Sequence, residues 1–165
     1  AVARWASLLA ATLVFLVLPI LVLYAAALLV ELDVGVQTRE AAVAHGLAGL
    51  LALSLAGVAG LIASWSTRRG FAVVATIALL VIANGIVTTV QGIAGSEGRP
   101  RTGEVAGLFS PYSLYRGLIG AWTGADTPTP PSTTGMELTY LAVLVGVSVA
   151  CLAALVRRYR KVSTA

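Results

Sequence analysis

Asn84, Thr88 and Gln91 lie at i, i+4 and i+7 within one uncharged apolar run, Gly70 to Ser96, with Gly85 and Gly92 close to them. On a helix this spacing gathers two carboxamides and a hydroxyl on a single face. An amide in hydrocarbon needs a partner, so the face must address another helix or a wet path rather than lipid. Two roles stay open for it, interhelical hydrogen bonding and the lining of a translocation path. Covalent chemistry finds no support elsewhere. His45 is the single histidine, with Glu40 the only carboxylate near it, and Cys151, the single cysteine, reads as a small core residue. There is no GxxxxGK[ST] phosphate loop, no HExxH and no CxxC, and no plausible Ser/His/Asp set. The chain is therefore read as a non-enzyme, with no catalytic residue, cofactor or metal site expected.

The elements that must position this face are four runs without Asp, Glu, Lys or Arg: Trp5 to Val30, Ala41 to Thr67, Gly70 to Ser96 and Leu138 to Val156. A helix needs about 20 apolar residues to cross a bilayer, and in the absence of water it alone satisfies its backbone within one segment. With 58% hydrophobic and 11% charged residues the chain falls outside soluble domains. The expected class is an all-α polytopic membrane protein forming one transmembrane domain over residues 1–165. Its spans are expected at about 5–30, 41–65, 71–94 and 137–157. Arg4 with Ala25 to Ala27 could imitate a signal peptide, but the apolar stretch is too long, and a stable first span is the better reading. Pro19 predicts a kink in that span. The stretch from Glu31 to Glu40 reads as a short polar loop without a recognisable site. Gly46, Gly49, Gly57, Gly60 and Ser64 on the second span, and Ala142, Gly146, Ala150 and Ala154 on the fourth, form small-residue stripes read as packing faces.

The net charge of +4 does not indicate nucleic acid, because the basic residues sit at the ends of spans. With alternating spans, Arg4, Arg68, Arg69, Arg157, Arg158, Arg160 and Lys161 collect on one side without any acidic residue, and Glu31, Asp33, Glu40, Glu97, Glu104, Asp126 and Glu137 on the other, against Arg39, Arg99, Arg101 and Arg116. The positive-inside bias then predicts both termini in the cytoplasm. Arg68, Arg69 and the Arg157–Lys161 cluster could meet a cytoplasmic partner or anionic lipid headgroups.

The loop from 95 to 136 exceeds ordinary connections. Val105, Leu108, Tyr112, Tyr115, Leu118 and Trp122 recur at helical spacing, with Glu104, Ser113 and Arg116 elsewhere on the wheel. Ser110 is a good N-cap and Pro111 is preorganised for a first turn. Interfacial helices are expected at about 104–109 and 111–122, lying on or dipping into the outer leaflet through Tyr112, Tyr115 and Trp122.

In order, these features resemble the last four of the six transmembrane helices of type-2 ABC transporter permeases. Leu50 to Ala56 and Ile62 to Ala72 look like the family's fourth helix and its basic inner turn. Phe109-Ser110-Pro111-Tyr112-Ser113-Leu114-Tyr115-Arg116 looks like its Ser-Pro outer segment, and Val156 to Val162 is similar to its basic tail. The resemblance implies a permease subunit of a dimer, a second permease copy and a cytoplasmic ABC ATPase as partners, and export of a lipid, polysaccharide or drug across a prokaryotic plasma membrane. It also implies that the outer short helices are re-entrant. The family's first two helices and coupling segment have no counterpart here, so the chain reads as a fragment or a reduced subunit, consistent with its start at Ala1 rather than Met. The alternative is a non-transporting assembly subunit whose outer loop binds a partner.

Overall fold

The computed structural model describes residues 2–29, 33–66, 68–127 and 130–163. These form six helices and no strand: α1 (Val2–Leu29), α2 (Val34–Trp65), α3 (Arg69–Ser96), α4 (Pro100–Gly107), α5 (Pro111–Thr123) and α6 (Thr134–Ser163). Four of the six, α1, α2, α3 and α6, are long and apolar enough to cross a membrane.

Local chemistry explains most of the helix limits. Asp33 starts α2 well before the span expected from 41, because its Oδ1 accepts hydrogen bonds from the backbone N–H groups of Gly35 (2.9 Å) and Val36 (3.3 Å). Such a cap satisfies donors that a helix start leaves orphaned. The stretch read as loop as far as Glu40 is therefore helical from Val34 onward, and the Tyr24 hydroxyl lies 3.0 Å from Thr38 Oγ1 across α1 and α2. The helix of α1 runs unbroken through Pro19. Pro100 opens α4, earlier than the helix expected from 104, and Ser110 with Pro111 opens α5. Gly98 and Gly124 adopt positive φ (66° and 72°), where a side chain would be strained, and they turn the chain after α3 and after α5.

α2 packs against α1 on one side and against α6 and α5 on another. In the α2–α6 contact the fully buried Ser54 and Ser148 hydroxyls lie 2.7 Å apart. Further along, an added Cβ on Gly57 would fall 2.8 Å from Cys151 Cβ. One hydroxyl donates to the other, and each has an alternative acceptor in its own helix, the Leu50 carbonyl for Ser54 (3.0 Å) and the Leu144 carbonyl for Ser148 (2.9 Å). Replacing either by alanine thus strands no buried donor. We expect Ser54→Ala and Ser148→Ala each to lower stability by about 0.5–1.5 kcal/mol, and the double variant to cost less than their sum. Unfolding in micelles as a double-mutant cycle measures this, and strict additivity would show that the hydroxyl pair contributes nothing.

The stripes read as packing faces are only partly used. Gly57 is buried, but Gly46 is exposed and nothing comes within 4 Å of a Cβ placed on Gly46 or Gly49. On α6 the buried positions are Tyr140, Leu144, Ser148, Cys151 and Leu155, whereas Ala142, Gly146 and Ala150 are exposed. The contact uses the face that carries Ser148 and Leu144, whose groups match those of α2, and the alanine ridge points away.

The core is the cluster Leu47, Leu114, Leu118, Tyr140 and Leu144, drawn from α2, α5 and α6. α5 is therefore wedged between two long helices instead of resting on their ends. Its buried face is Ser113, Leu114, Gly117, Leu118 and Gly120, and that of α4 is Gly103, Glu104 and Gly107. This differs from the expected strip. Tyr112 and Val105 are exposed, whereas Glu104 and Ser113, placed away from the strip, are buried. Small residues admit the close backbone approach that seats the pair, and Val105, Phe109 and Tyr112 turn outward while Leu114 and Leu118 fill the core.

Candidate functional site

From Ser96 the chain turns at Gly98, descends through α4, turns again at Leu108 to Ser110 and returns through α5. The lower tip of this hairpin meets the amide face of α3. Ser110 Oγ donates to Asn84 Oδ1 at 3.2 Å, while the same oxygen accepts from the Ser113 backbone N–H at 3.4 Å. Ser110 thus caps α5 and anchors it to α3 at once. Asn84 lies about 18 Å along the axis from Ser96, so the tip reaches roughly the middle of α3.

Higher on the same face, Gln91 Nε2 donates to the Gly103 carbonyl of α4 at 3.3 Å. Thr88, between the two amides, behaves differently. Its hydroxyl turns back to the carbonyls of Asn84 (2.9 Å) and Gly85 (3.0 Å), and the residue stays exposed. It stands at one wall of a cavity of about 380 Å³ between α3 and α5, lined also by Gln91, Ser96, Tyr112, Ser113, Arg116 and Thr127. From the Ser96 end the cavity follows Thr88, Gln91, Gly92 and Gly95, a single helical face about 12 Å deep. The Arg116 guanidinium lies over the Tyr112 ring, 5.8 Å from its centroid.

A second set of contacts fixes the hairpin from behind. The Tyr140 hydroxyl donates to the Glu104 carbonyl at 2.6 Å, and the Glu104 carboxylate accepts from the Ser132 N–H at 3.0 Å. The burial of Glu104 has a local reason, since Pro130 and Pro131 offer no N–H and the first donor after them, Ser132, needs an acceptor. Trp122 Nε1 donates to Glu137 Oε2 at 3.1 Å, tying the end of α5 to the start of α6.

Of the residues singled out from the sequence, Asn84, Thr88, Gln91, Ser110, Tyr112 and Arg116 come together around the tip and the cavity. Pro111 is the first residue of α5, and Tyr115 and Trp122 pack partly buried against the core instead of facing the cavity. Arg68 and Arg157 are exposed and Arg158 is half-buried, all at the opposite end of the bundle. The side chains of Arg69, Arg160 and Lys161 lie outside the described residues. His45 bonds through Nδ1 to the Ala41 carbonyl at 2.6 Å, within its own helix. Glu104, Tyr140, Gly107 and Gly117, which seat the hairpin, were not singled out. The Gly103-x-x-x-Gly107 spacing, a small-residue signature of close helix contact, carried the signal for the first of these contacts. Among the described residues no group of three or more His, Cys, Asp or Glu side chains is placed to hold a metal ion.

Comparison with protein-family models, with curated proteins and with solved structures finds no match to this chain.

Proposed function

We propose that this chain is a membrane-spanning permease subunit of an export system, with the α3–α5 cavity as part of its translocation path. The carrying observation is the open middle of the polar face: Thr88 stays exposed beside the cavity, while Asn84 below it and Gln91 above it are engaged with the hairpin. A face meant only to hold helices together would pack over Thr88 as well, whereas here a cavity of about 380 Å³ stands beside it, the Thr88 hydroxyl being satisfied within its own helix. The assembly reading draws on the two engaged amides. Insertion through α1, α2, α3 and α6 is supported by their length and by apolar outer surfaces such as Leu23, Val74, Val81 and Ile82. The gathering of Arg68, Arg157 and Arg158 at one end, with Glu97, Asp126 and Glu137 at the other, supports both termini on the cytoplasmic side, and a prokaryotic plasma membrane rests on the resemblance. A separate cytoplasmic ABC ATPase and a second permease copy rest on the resemblance of the Ser-Pro segment and the basic tail.

Water access to Thr88 tests the reading. In a Cys151→Ala background, Thr88→Cys should react with a membrane-impermeant thiosulfonate added to the outside of intact cells. Ile86→Cys, on an exposed apolar position of the same helix, should stay unmodified. Equal inertness of both thiols would make the face dry and end the transport reading. Failure of the protein to associate with any ATPase subunit would remove the ABC assignment.

A further inference from the structure

We propose that the α3–α5 cavity holds the phosphate headgroup of a phospholipid-like amphiphile, with Arg116 as the group that pairs with the phosphate. This names the cargo or lipid ligand of the same cavity and rests on the membrane reading above.

The argument begins with an unanswered charge. Arg116 is the charged residue among those lining the cavity, it is half-buried, and no carboxylate pairs with it among the described residues, whose ion pair is Arg99–Glu97 at the turn after α3. Its contact is the Tyr112 ring. A half-buried cation needs an anion or water, and among the described residues no carboxylate supplies the anion. The planar guanidinium fork matches a phosphate in two parallel hydrogen bonds and is less strongly hydrated than an ammonium, so it suits a partly desolvated site.

Depth and size select the source of the phosphate. Arg116 lies about 10 Å along α5 from the Thr123 end, toward the hairpin tip whose Ser110 bonds Asn84 near the middle of α3. A volume of about 380 Å³ admits a phosphate with its glycerol or a small polar substituent, but not two acyl chains or an extended polymer. Of the hydroxyls beside Arg116, those of Thr88 and Ser96 donate to carbonyls of α3 and have to rotate to meet a phosphate, whereas Thr127 Oγ1 is buried without a hydrogen-bond partner. The acyl chains then have to stay outside, and Ile93 on α3 and Phe109 at the hairpin tip are exposed apolar side chains on the same elements. The ligand so defined is amphiphilic, its anionic head drawn into the cavity from the side while its tails remain in lipid.

The full chain, purified in neutral detergent, is incubated with a photoactivatable phosphatidic acid, illuminated, and its adducts mapped by mass spectrometry. Adducts on the Thr88–Ser96 and Tyr112–Gly117 segments are expected, competed by unlabelled phosphatidic acid but not by diacylglycerol or by an equal concentration of inorganic phosphate. Arg116→Gln should weaken competition roughly ten- to hundredfold, and Arg116→Lys less, because the charge is kept and the fork is lost. The lysine variant keeps the comparison open should the glutamine variant fail to fold. Unchanged affinity in both variants, adducts elsewhere, or equal competition by inorganic phosphate overturns the proposal. The assay needs neither an ATPase nor net transport. A wild-type chain that labels as expected but has an inert Thr88→Cys thiol sinks the transport reading alone. A reactive Thr88→Cys thiol with Arg116 variants indistinguishable from wild type sinks the headgroup assignment alone.

Discussion

Tyr140→Ala is expected to unseat the α4–α5 hairpin. The ring is fully buried in the cluster with Leu47, Leu114, Leu118 and Leu144, and its hydroxyl donates to the Glu104 carbonyl at 2.6 Å. Truncating a buried aromatic costs about 3–5 kcal/mol, and a carbonyl left without its donor adds about 1–3 kcal/mol. Tyr140→Phe keeps the ring and loses only the second contribution, so the expected order is Ala far worse than Phe. Unfolding in mixed micelles gives the energies, and limited proteolysis between Glu97 and Thr133 gives the site of opening. If the phenylalanine variant is as unstable as the alanine one, packing is not what holds the hairpin. Two neutral variants would mean that it is not seated on α6 at all.

Gly117→Ala is expected to destabilise although alanine is the better helix former. The added Cβ falls 2.6 Å from Tyr140 Cε2, 3.0 Å from Cδ2 and 3.4 Å from Pro131 Cδ. The ring has nowhere to withdraw, since its hydroxyl is tethered to Glu104 and a Cβ on Gly107 would also collide with it. α5 itself has to shift. Overpacking of this kind costs about 1–3 kcal/mol and outweighs a helix-propensity gain of about 1 kcal/mol. Because α5 carries Tyr112 and Arg116, the cavity should change along with stability. Gly49→Ala is the control: nothing lies within 4 Å of its Cβ, so only the propensity gain remains and the sign should reverse. Equal effects at the two glycines would refute the close approach.

Much of the local structure could be read in advance. The long apolar helices follow from length, since an uncharged run of that extent in hydrocarbon has only the helix open to it. The start of α5 at Pro111 follows from Ser110, whose hydroxyl accepts from the Ser113 N–H. The start of α2 lies upstream of the expected one because Asp33 caps the helix, so that Arg39 and Glu40, polar enough to read as loop, are helical. The faces were harder. In a chain whose long helices are apolar all round, hydrophobic periodicity carries no phase, and on the short α5 the close approach to Tyr140 turns Gly117 inward while Tyr112 stays exposed. The same ambiguity left Ala142 and Gly146 exposed while Tyr140 and Leu144 took the contact.

By itself, then, the sequence determined the helical class, the number of long apolar segments, the gathering of the acidic residues at one end and the residues capable of polar contact within the third run. Each of these depends on neighbours within a turn or two, or on length alone. The depth of the hairpin, the burial of Glu104 and the division of one polar face into two bonded amides and an open Thr88 were decided by the tertiary structure. They depend on pairs far apart in the chain, Ser110 with Asn84, Tyr140 with Glu104 and Ser148 with Ser54, whose meeting is set by which small residues let two backbones come close.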